Sequence, residues 1–361
     1  MASARPAELD LPPYVGQTAA TFRFSLIDGR TGHRRGPLTP LRTSTPTLGH
    51  DTTSTISRRV NGLTLGGHDA ARINPLADRV TIDMVLADRA RTVFRLGRYM
   101  VADTVDLIST GGTTAPLTLF DEMFIVDQEL ESGFDAGGQL VDQAVLRLLD
   151  GLPIGEVAID ATEQTSINSW SPGTSRAGAL NDLATMGGYL KPWFDHTGRL
   201  RMMRAFEPAG REPTIDLDAS RRVLRGSISR SSELLTAPNR FVVVSNDPGS
   251  ETAPVVGTYD VPSSAPHSIA QRGFVIPKVV EAQLPSQRHA TVYARTLGIQ
   301  QSIYETVELS TPPDPRHDGY DVVRWDGHSW LEIGWDLPLT PGGEMRHKLR
   351  RAYPTTDGGE A

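Results

Sequence analysis

The 361-residue chain is two to three times the usual length of one domain and can bury a core without disulfide or metal staples. It has no cysteine, which excludes a disulfide scaffold, thiol catalysis and a cysteine-ligated zinc. A formal charge of −7 argues against a general nucleic-acid binder, and no apolar run approaches the roughly 18 residues of a membrane-spanning helix.

Residues 1–10 have no apolar signal-peptide core, so the expectation is a soluble protein made in a cytoplasm. Phe22-Arg23-Phe24-Ser25-Leu26 alternates with the period of a half-buried strand. Residues 80–86 place Val80, Ile82, Met84 and Leu86 on one face, and 92–101 and 117–126 read as two more strands. Residues 139–150 change to helical spacing, with Leu140, Val141, Ala144, Val145, Leu148 and Leu149 recurring and Gly151 placed to cap the end. A second helix is predicted over 175–186, with Thr174 or Ser175 as its cap and Gly187-Gly188 as its stop. A hairpin over 189–203, turning at 195–198, follows it. Strands are expected at 241–244, 274–276, 303–309, 322–325 and 330–333, interrupted by a polar, proline-rich stretch at 247–266 and a third helix over 286–300.

Many short strands separated by Gly, Pro and Asp point to barrels or sandwiches rather than a parallel α/β sheet. The expected fold is mainly β with a small α+β insert. Its divisions are a first β domain over 1–130, an inserted helix and hairpin unit over 131–206, strands returning to the first domain over 207–240, and a second β domain with one helix and a small accessory segment over 241–361. The insert is expected to pack as a separate unit, with Trp170 and Trp193 as anchors and Leu180 in its core.

No set of residues has the spacing of a known catalytic or cofactor site. Asp314, His317, Asp318, Asp321, Asp326 and His328 form the densest polar cluster. They lack the order of a calcium loop or a zinc helix, and turn chemistry accounts better for Pro-Asp-Pro and Trp-Asp-Gly. No Gly-x-Ser-x-Gly elbow is present, so Ser171 to Arg176 reads as a turn into a helix. None of the glycine pairs (66–67, 111–112, 137–138, 187–188, 342–343) has the setting of a phosphate loop. Arg221, Arg222 and Arg225 read as an ion-pairing strand with Asp216 and Asp218 rather than a nucleic-acid stripe. Asp160 with Glu163, and Asp121 with Glu122, are weak candidates for an acid/base pair. By alternation Trp330 points away from Trp325 and Trp335, which speaks against one sugar-stacking face. The expectation is no catalytic, cofactor or metal residue and no metal dependence.

Several segments, in order, resemble the tail hub proteins of long-tailed phages, which include minor tail proteins of actinobacteriophages, baseplate central hubs and the N-terminal part of tail-associated lysins. They are Leu41-Arg42-Thr43-Ser44-Thr45-Pro46, Arg72-Ile73-Asn74-Pro75, Gly97-Arg98-Tyr99-Met100 and Trp170-Ser171-Pro172-Gly173. Phe194-Asp195-His196-Thr197-Gly198, Pro238-Asn239-Arg240-Phe241 and Thr311-Pro312-Pro313-Asp314 complete the set. The resemblance implies two similar β-barrel hub domains plus smaller decorating domains, and a homotrimer whose ring joins the sixfold tail tube and distal tail protein to threefold fibres or tip proteins. It implies a tape measure protein as neighbour and phage DNA passing through the lumen without specific binding. It places the chain at the virion tail tip, assembled in the bacterial host cytoplasm. The chain ends at Ala361 without the extra domains of the lysins, so lytic activity is not expected. The alternatives are a tail-associated cell-wall hydrolase and a carbohydrate-binding receptor protein, the latter poorly supported by 6% aromatics.

Overall fold

The computed structural model describes residues 20–104, 107–109, 112–224, 226, 228–233, 235–245 and 254–354. Eight strands come first: β1 (Ala20–Asp28), β2 (Arg34–Leu38), β3 (Thr47–Asp51), β4 (Arg58–Gly66), β5 (Asp78–Leu86), β6 (Val93–Thr104), β7 (Leu107–Ser109) and β8 (Gly112–Phe120). They hydrogen-bond in the order β3-β4-β8-β6-β5-β1-β2, with β7 on β8. A bridge from Pro40 to Leu65 carries the end of β2 back to β4 and rounds the sheet into a barrel. Alternation sends Phe24, Leu26, Val80, Ile82, Met84, Leu117 and Leu119 into one core. Gly97 has φ 147° beside the register shift between β5 and β6, where a Cβ would overlap the Tyr99 ring, so the bulge requires glycine.

Residues 123–126, expected as the end of a strand, form the short helix α2 (Met123–Val126), after α1 (Gly67–Ala70) earlier in the chain. The cause is local: Asp121 Oδ1 accepts from the Met123 amide, which turns the backbone away from the ladder. The insert then contributes β9 (Phe134–Asp135), α3 (Val141–Leu148), β10 (Val157–Ile159), β11 (Ser169–Trp170), α4 (Arg176–Met186), β12 (Trp193–Phe194) and β13 (Leu200–Met202). Its two main helices and its hairpin stand where the sequence pattern puts them. Ser175 Oγ caps α4 by accepting from the Gly178 amide, and Gly151 (φ 75°) and Gly188 (φ 78°) follow the two helix ends.

The rest of the chain forms β14 (Ile215–Asp216), α5 (Leu217–Ser220), β15 (Ser229–Ser232), β16 (Arg240–Ser245), β17 (Val255–Asp260), α6 (Ile269–Arg272), β18 (Pro277–Glu281), α7 (Gln287–Gln301), β19 (Glu305–Thr311), β20 (Val322–Trp325), β21 (His328–Pro338) and β22 (Met345–Arg351). A strand was expected at 274–276 but begins at Pro277. The Asn239 amide takes the Phe274 carbonyl and the Ile276 N–H, the groups a ladder would use. Strand β17 lies inside the polar stretch that was expected to carry none.

The second barrel runs β15-β19-β22-β21-β20-β14 around Ile215, Leu217, Val307, Leu309, Val323, Trp330 and Leu349. Arg230 of β15 reaches Asp326 at the β20–β21 turn (2.9 Å) and draws the sheet round. This corrects the expectation for 207–240. Strands β14 and β15 pair with β20 and β19 of the second barrel, not with the first, because the inward residues Ile215 and Leu217 complete the second core.

The fold is thus mostly β, with two barrels and smaller mixed parts. One sheet runs through both barrels, since the C-terminal half of β21 leaves β20 and pairs with β3 from Gly334↔Asp51 to Pro338↔Thr47. The insert's core is not separate. Leu148, Leu180, Leu183, Met186 and Phe194 share a cluster with Phe241 and Val243 of β16 and with Ala290, Ala294 and Leu297 of α7. Short amphipathic helices have too little apolar area to close a core alone and take what the neighbouring sheet offers. Leu180 is 1% exposed, so Leu180→Ala should cost about 2–5 kcal/mol in urea unfolding. A loss below about 1 kcal/mol would show that this cluster tolerates the cavity.

Candidate functional site: a buried ionic junction

Residues 312–321 link β19 to β20 and cover the seam where the barrels and the insert hairpin meet. Asp314 makes a turn by accepting from the Arg316 amide (3.1 Å), and its carboxylate binds Arg316 Nε (2.9 Å) and Arg222 Nη1 (3.2 Å). Asp318 Oδ1 pairs with Arg58 Nη2 of β4 (2.7 Å) and accepts from Trp193 Nε1 of the hairpin (3.3 Å); its Oδ2 lies 3.7 Å from His196 Nδ1. Asp321 accepts from the Asp318 amide (2.7 Å) and from the Thr214 hydroxyl (3.0 Å). Beneath them Glu332 of β21 takes His317 Nδ1 on Oε2 and His347 Nδ1 of β22 on Oε1, each at 2.6 Å. All three side chains are at most 1% exposed. The segment therefore holds the first barrel through Arg58, the insert through His196 and Trp193, and the second barrel through Arg222, Glu332 and His347.

The charges follow from this packing. Burial opposes ionisation of Asp318, but Arg58 outweighs it and holds the carboxyl well below its ordinary range. Burial likewise opposes a charged Glu332, and the two imidazoles bring it down to about 2. The His317 ring, though buried, is raised by Glu332, whereas burial and the neighbouring His317 lower His347. His50 of β3 stacks on Trp335 with ring centroids 5.6 Å apart. Burial, with Arg58 beside it, lowers its pKa to about 4.

Among the described residues, the ligand atoms of His317, Glu332 and His347 lie within 4.8 Å of one another, a set of residue types that could hold a metal. The geometry does not suit one. Ligands on a tetrahedral ion with bonds of about 2.0–2.1 Å stand about 3.3 Å apart, whereas the 2.6 Å contacts here are hydrogen-bond distances.

The polar cluster singled out in the sequence thus divides. Asp314, His317, Asp318 and Asp321 come together in the junction, while Asp326 and His328 lie exposed at the β20–β21 turn. Asp326 (φ 52°) and Gly327 (φ 68°) supply the paired positive φ of a two-residue hairpin. That turn also corrects the alternation of the tryptophans. Trp325 pairs with His328, so the parity restarts across the turn and the Trp325 and Trp330 rings meet at 5.6 Å. Trp330 is fully buried in the second core and Trp335 belongs to the first, so no stacking face results.

The other candidates are already engaged. Asp121 accepts from the Arg58 and Met123 amides, and Glu122 binds Arg79 (3.3 Å), Arg98 and the Gly155 amide. Asp160 accepts from the Arg204 amide, and exposed Glu163 pairs with Arg288 (2.9 Å). Ser171 to Arg176 forms the turn and cap into α4. Trp170 packs half-buried against Phe134 and donates to Asp182 (3.1 Å). Arg221 ends α5 in a left-handed conformation rather than in a strand, Arg222 joins the junction, and Arg225 lies outside the described residues.

Sequence reasoning missed Arg58, His50, His196, Glu332 and His347. A signal existed for three of them: Arg58 shares strand parity with Val60, His50 with Leu48, and His347 with Met345 and Leu349, so each is a polar residue in an inward register.

No protein-family model and no curated protein matches the chain. Solved structures do. A tail protein from Neisseria meningitidis MC58 is 13% identical, with a TM-score of 0.62 over 92% of this chain and 100% of that one. The 43 kDa tail protein of prophage MuSo2 from Shewanella oneidensis is 13% identical, with a TM-score of 0.59 over 92% and 98%. Prophage tail protein gp18 from Listeria monocytogenes EGD-e is 10% identical, with a TM-score of 0.58 over 93% and 95%. At these identities the likeness is one of fold: along most of its length the chain has the fold of phage and prophage tail proteins.

Proposed function

We propose that the chain is the structural tail-tip hub of a long-tailed phage, of the minor tail protein kind. Three copies form a ring in which two barrels per subunit give pseudo-sixfold symmetry. The ring joins the tail tube and distal tail protein above to fibres or tip proteins below, beside the tape measure protein. The observation that carries this reading is the pair of barrels built on one continuous sheet and clamped by a buried ionic junction. A fixed angle between two similar barrels is what a threefold ring needs in order to present six near-equivalent positions. The likeness in fold to tail proteins over more than nine-tenths of the chain supports the same reading.

The role is structural rather than enzymatic: the clustered carboxylates and imidazoles are spent on one another and on arginines. A net charge of −7 suits a lumen through which DNA passes without counterion-release binding. The test is the copy number, by light scattering of the purified chain and by a map of the particle. Three times the 39.2 kDa chain mass in solution, or three copies in one ring of the particle, is expected. Six copies in a ring, or a single copy on the axis, would overturn the reading.

A further inference from the structure

His50 and His347 lie buried beneath the 312–321 segment, 3% and 2% exposed. His50 is buried and neither ring nitrogen has a hydrogen-bond partner. A Cβ on Gly319 would stand 3.0 Å from His50 Nε2 and 3.0 Å from Trp193 Nε1, so the segment's backbone is pressed directly onto the imidazole. The charged groups facing His50 are Arg58 from β4, Asp318 from the segment, Glu332 from β21 and Asp51 on its own strand. His347 faces His317 and Asp314 from the segment, Glu332 from β21 and the Thr311 hydroxyl (2.8 Å) from β19.

We propose that residues 312–321 are a proton-sensitive clasp: protonation of His50 and His347 releases the segment from Arg58 and Glu332, and the two barrels reorient while each stays folded. A proton on His50 adds a second cation beside Arg58, the residue that holds Asp318 to the first barrel. It also adds a second N–H to a buried ring neither of whose nitrogens has a hydrogen-bond partner. A second proton on His347 sets two imidazolium rings 4.4 Å apart on the one Glu332 carboxylate; the Thr311 hydroxyl, which donates to the Pro312 carbonyl (2.9 Å), can accept the new N–H, so the opposing force is the like charge of His317. Without the clasp the barrels are joined through the β21–β22 hairpin, which pairs with β3 at five positions, puts Trp335, Leu337 and Met345 into the first core and carries a register shift between Glu332 and Gly334. Each barrel keeps its own core, because the clusters around Ile82 and around Trp330 do not include the segment, whose Tyr320 packs instead with Trp193, Val322 and Leu331. The clasp is a property of the single chain and does not depend on the tail reading.

The absence of cysteine allows a clean test. Spin labels on Arg23→Cys in β1 and Arg324→Cys in β20, both exposed, report the separation of the barrels in the full chain by pulsed electron resonance. A narrow distance distribution is expected at pH 7.5. At pH 4.5 its width should at least double while the far-UV circular dichroism stays within about a tenth of its neutral value. In His50→Leu/His347→Gln, which cannot gain these protons, the distribution should stay narrow at pH 4.5. A wild-type distribution that is unchanged by acid, loss of secondary structure at the same pH, or equal broadening in the double variant would each overturn the proposal. If the double variant does not fold, the wild-type comparison of distance and circular dichroism still decides.

Discussion

Arg58→Ala should unfold with about 3–5 kcal/mol less free energy than the wild type, the largest loss expected of any single junction substitution. Arg58 is 1% exposed, and it binds Asp318 through Nη2 (2.7 Å) and the Leu96 carbonyl through Nη1 (3.1 Å). Truncation leaves a buried carboxylate whose ionisation depended on this guanidinium. The penalty is that of an orphaned charge rather than of a lost contact, so it is partly reversible. Arg58→Ala combined with Asp318→Leu should recover at least about 1 kcal/mol relative to Arg58→Ala alone in urea unfolding. A single substitution costing less than about 1 kcal/mol, or a double variant worse than the sum of its parts, would show that the pair is not the junction's main electrostatic tie.

The second large effect is on the pH dependence of stability. His50 has an ordinary value of 6.5 and is lowered to about 4 in the fold. Between those values the unfolded chain binds the proton and the folded one does not, so stability rises with pH through this window and is lost as pH falls. The difference corresponds to about 3 kcal/mol. Asp121 works in the opposite direction, because burial raises it from 3.8 to about 6 and stability from that group falls as pH rises between those values. The clean measurement is therefore a comparison in which Asp121 drops out. From pH 6.5 to pH 4, wild type should lose about 3 kcal/mol more than His50→Leu, by urea unfolding at each pH. Parallel pH profiles in the two proteins would mean that His50 titrates normally in the fold.

The two predictions and the clasp share one structural cause. The junction that closes the seam between the barrels is built from charged groups withdrawn from water, laid over an apolar core to which Trp335, Leu337 and Met345 contribute. Such groups are worth little when added and cost much when one of them is removed or mis-protonated. A junction of this kind fixes an angle more sharply than it adds stability.

Much of the local structure was legible in the residue pattern. Helices α3, α4 and α7 follow from apolar residues at helical spacing with Ser175, Gly151 and Gly188 at their ends, and β1, β5, β6, β16 and β20 follow from period-2 alternation, because these features depend only on neighbours within a few residues. The mainly β class and the Asp-Gly turn of β20–β21 follow in the same way. The partners of each element were decided only by the tertiary structure. Strands β14 and β15 carry no mark that assigns them to the second barrel, and the insert's helices do not announce that β16 and α7 complete their core. The junction was half visible. Asp314, His317, Asp318 and Asp321 stand out as a local cluster, but their partners Arg58, His50, His196, Glu332 and His347 come from five other places in the chain. Spacing along a sequence records turns and periods, whereas an ion pair between residues 58 and 318 is made by two barrels closing against each other, and that distance exists only in the folded molecule.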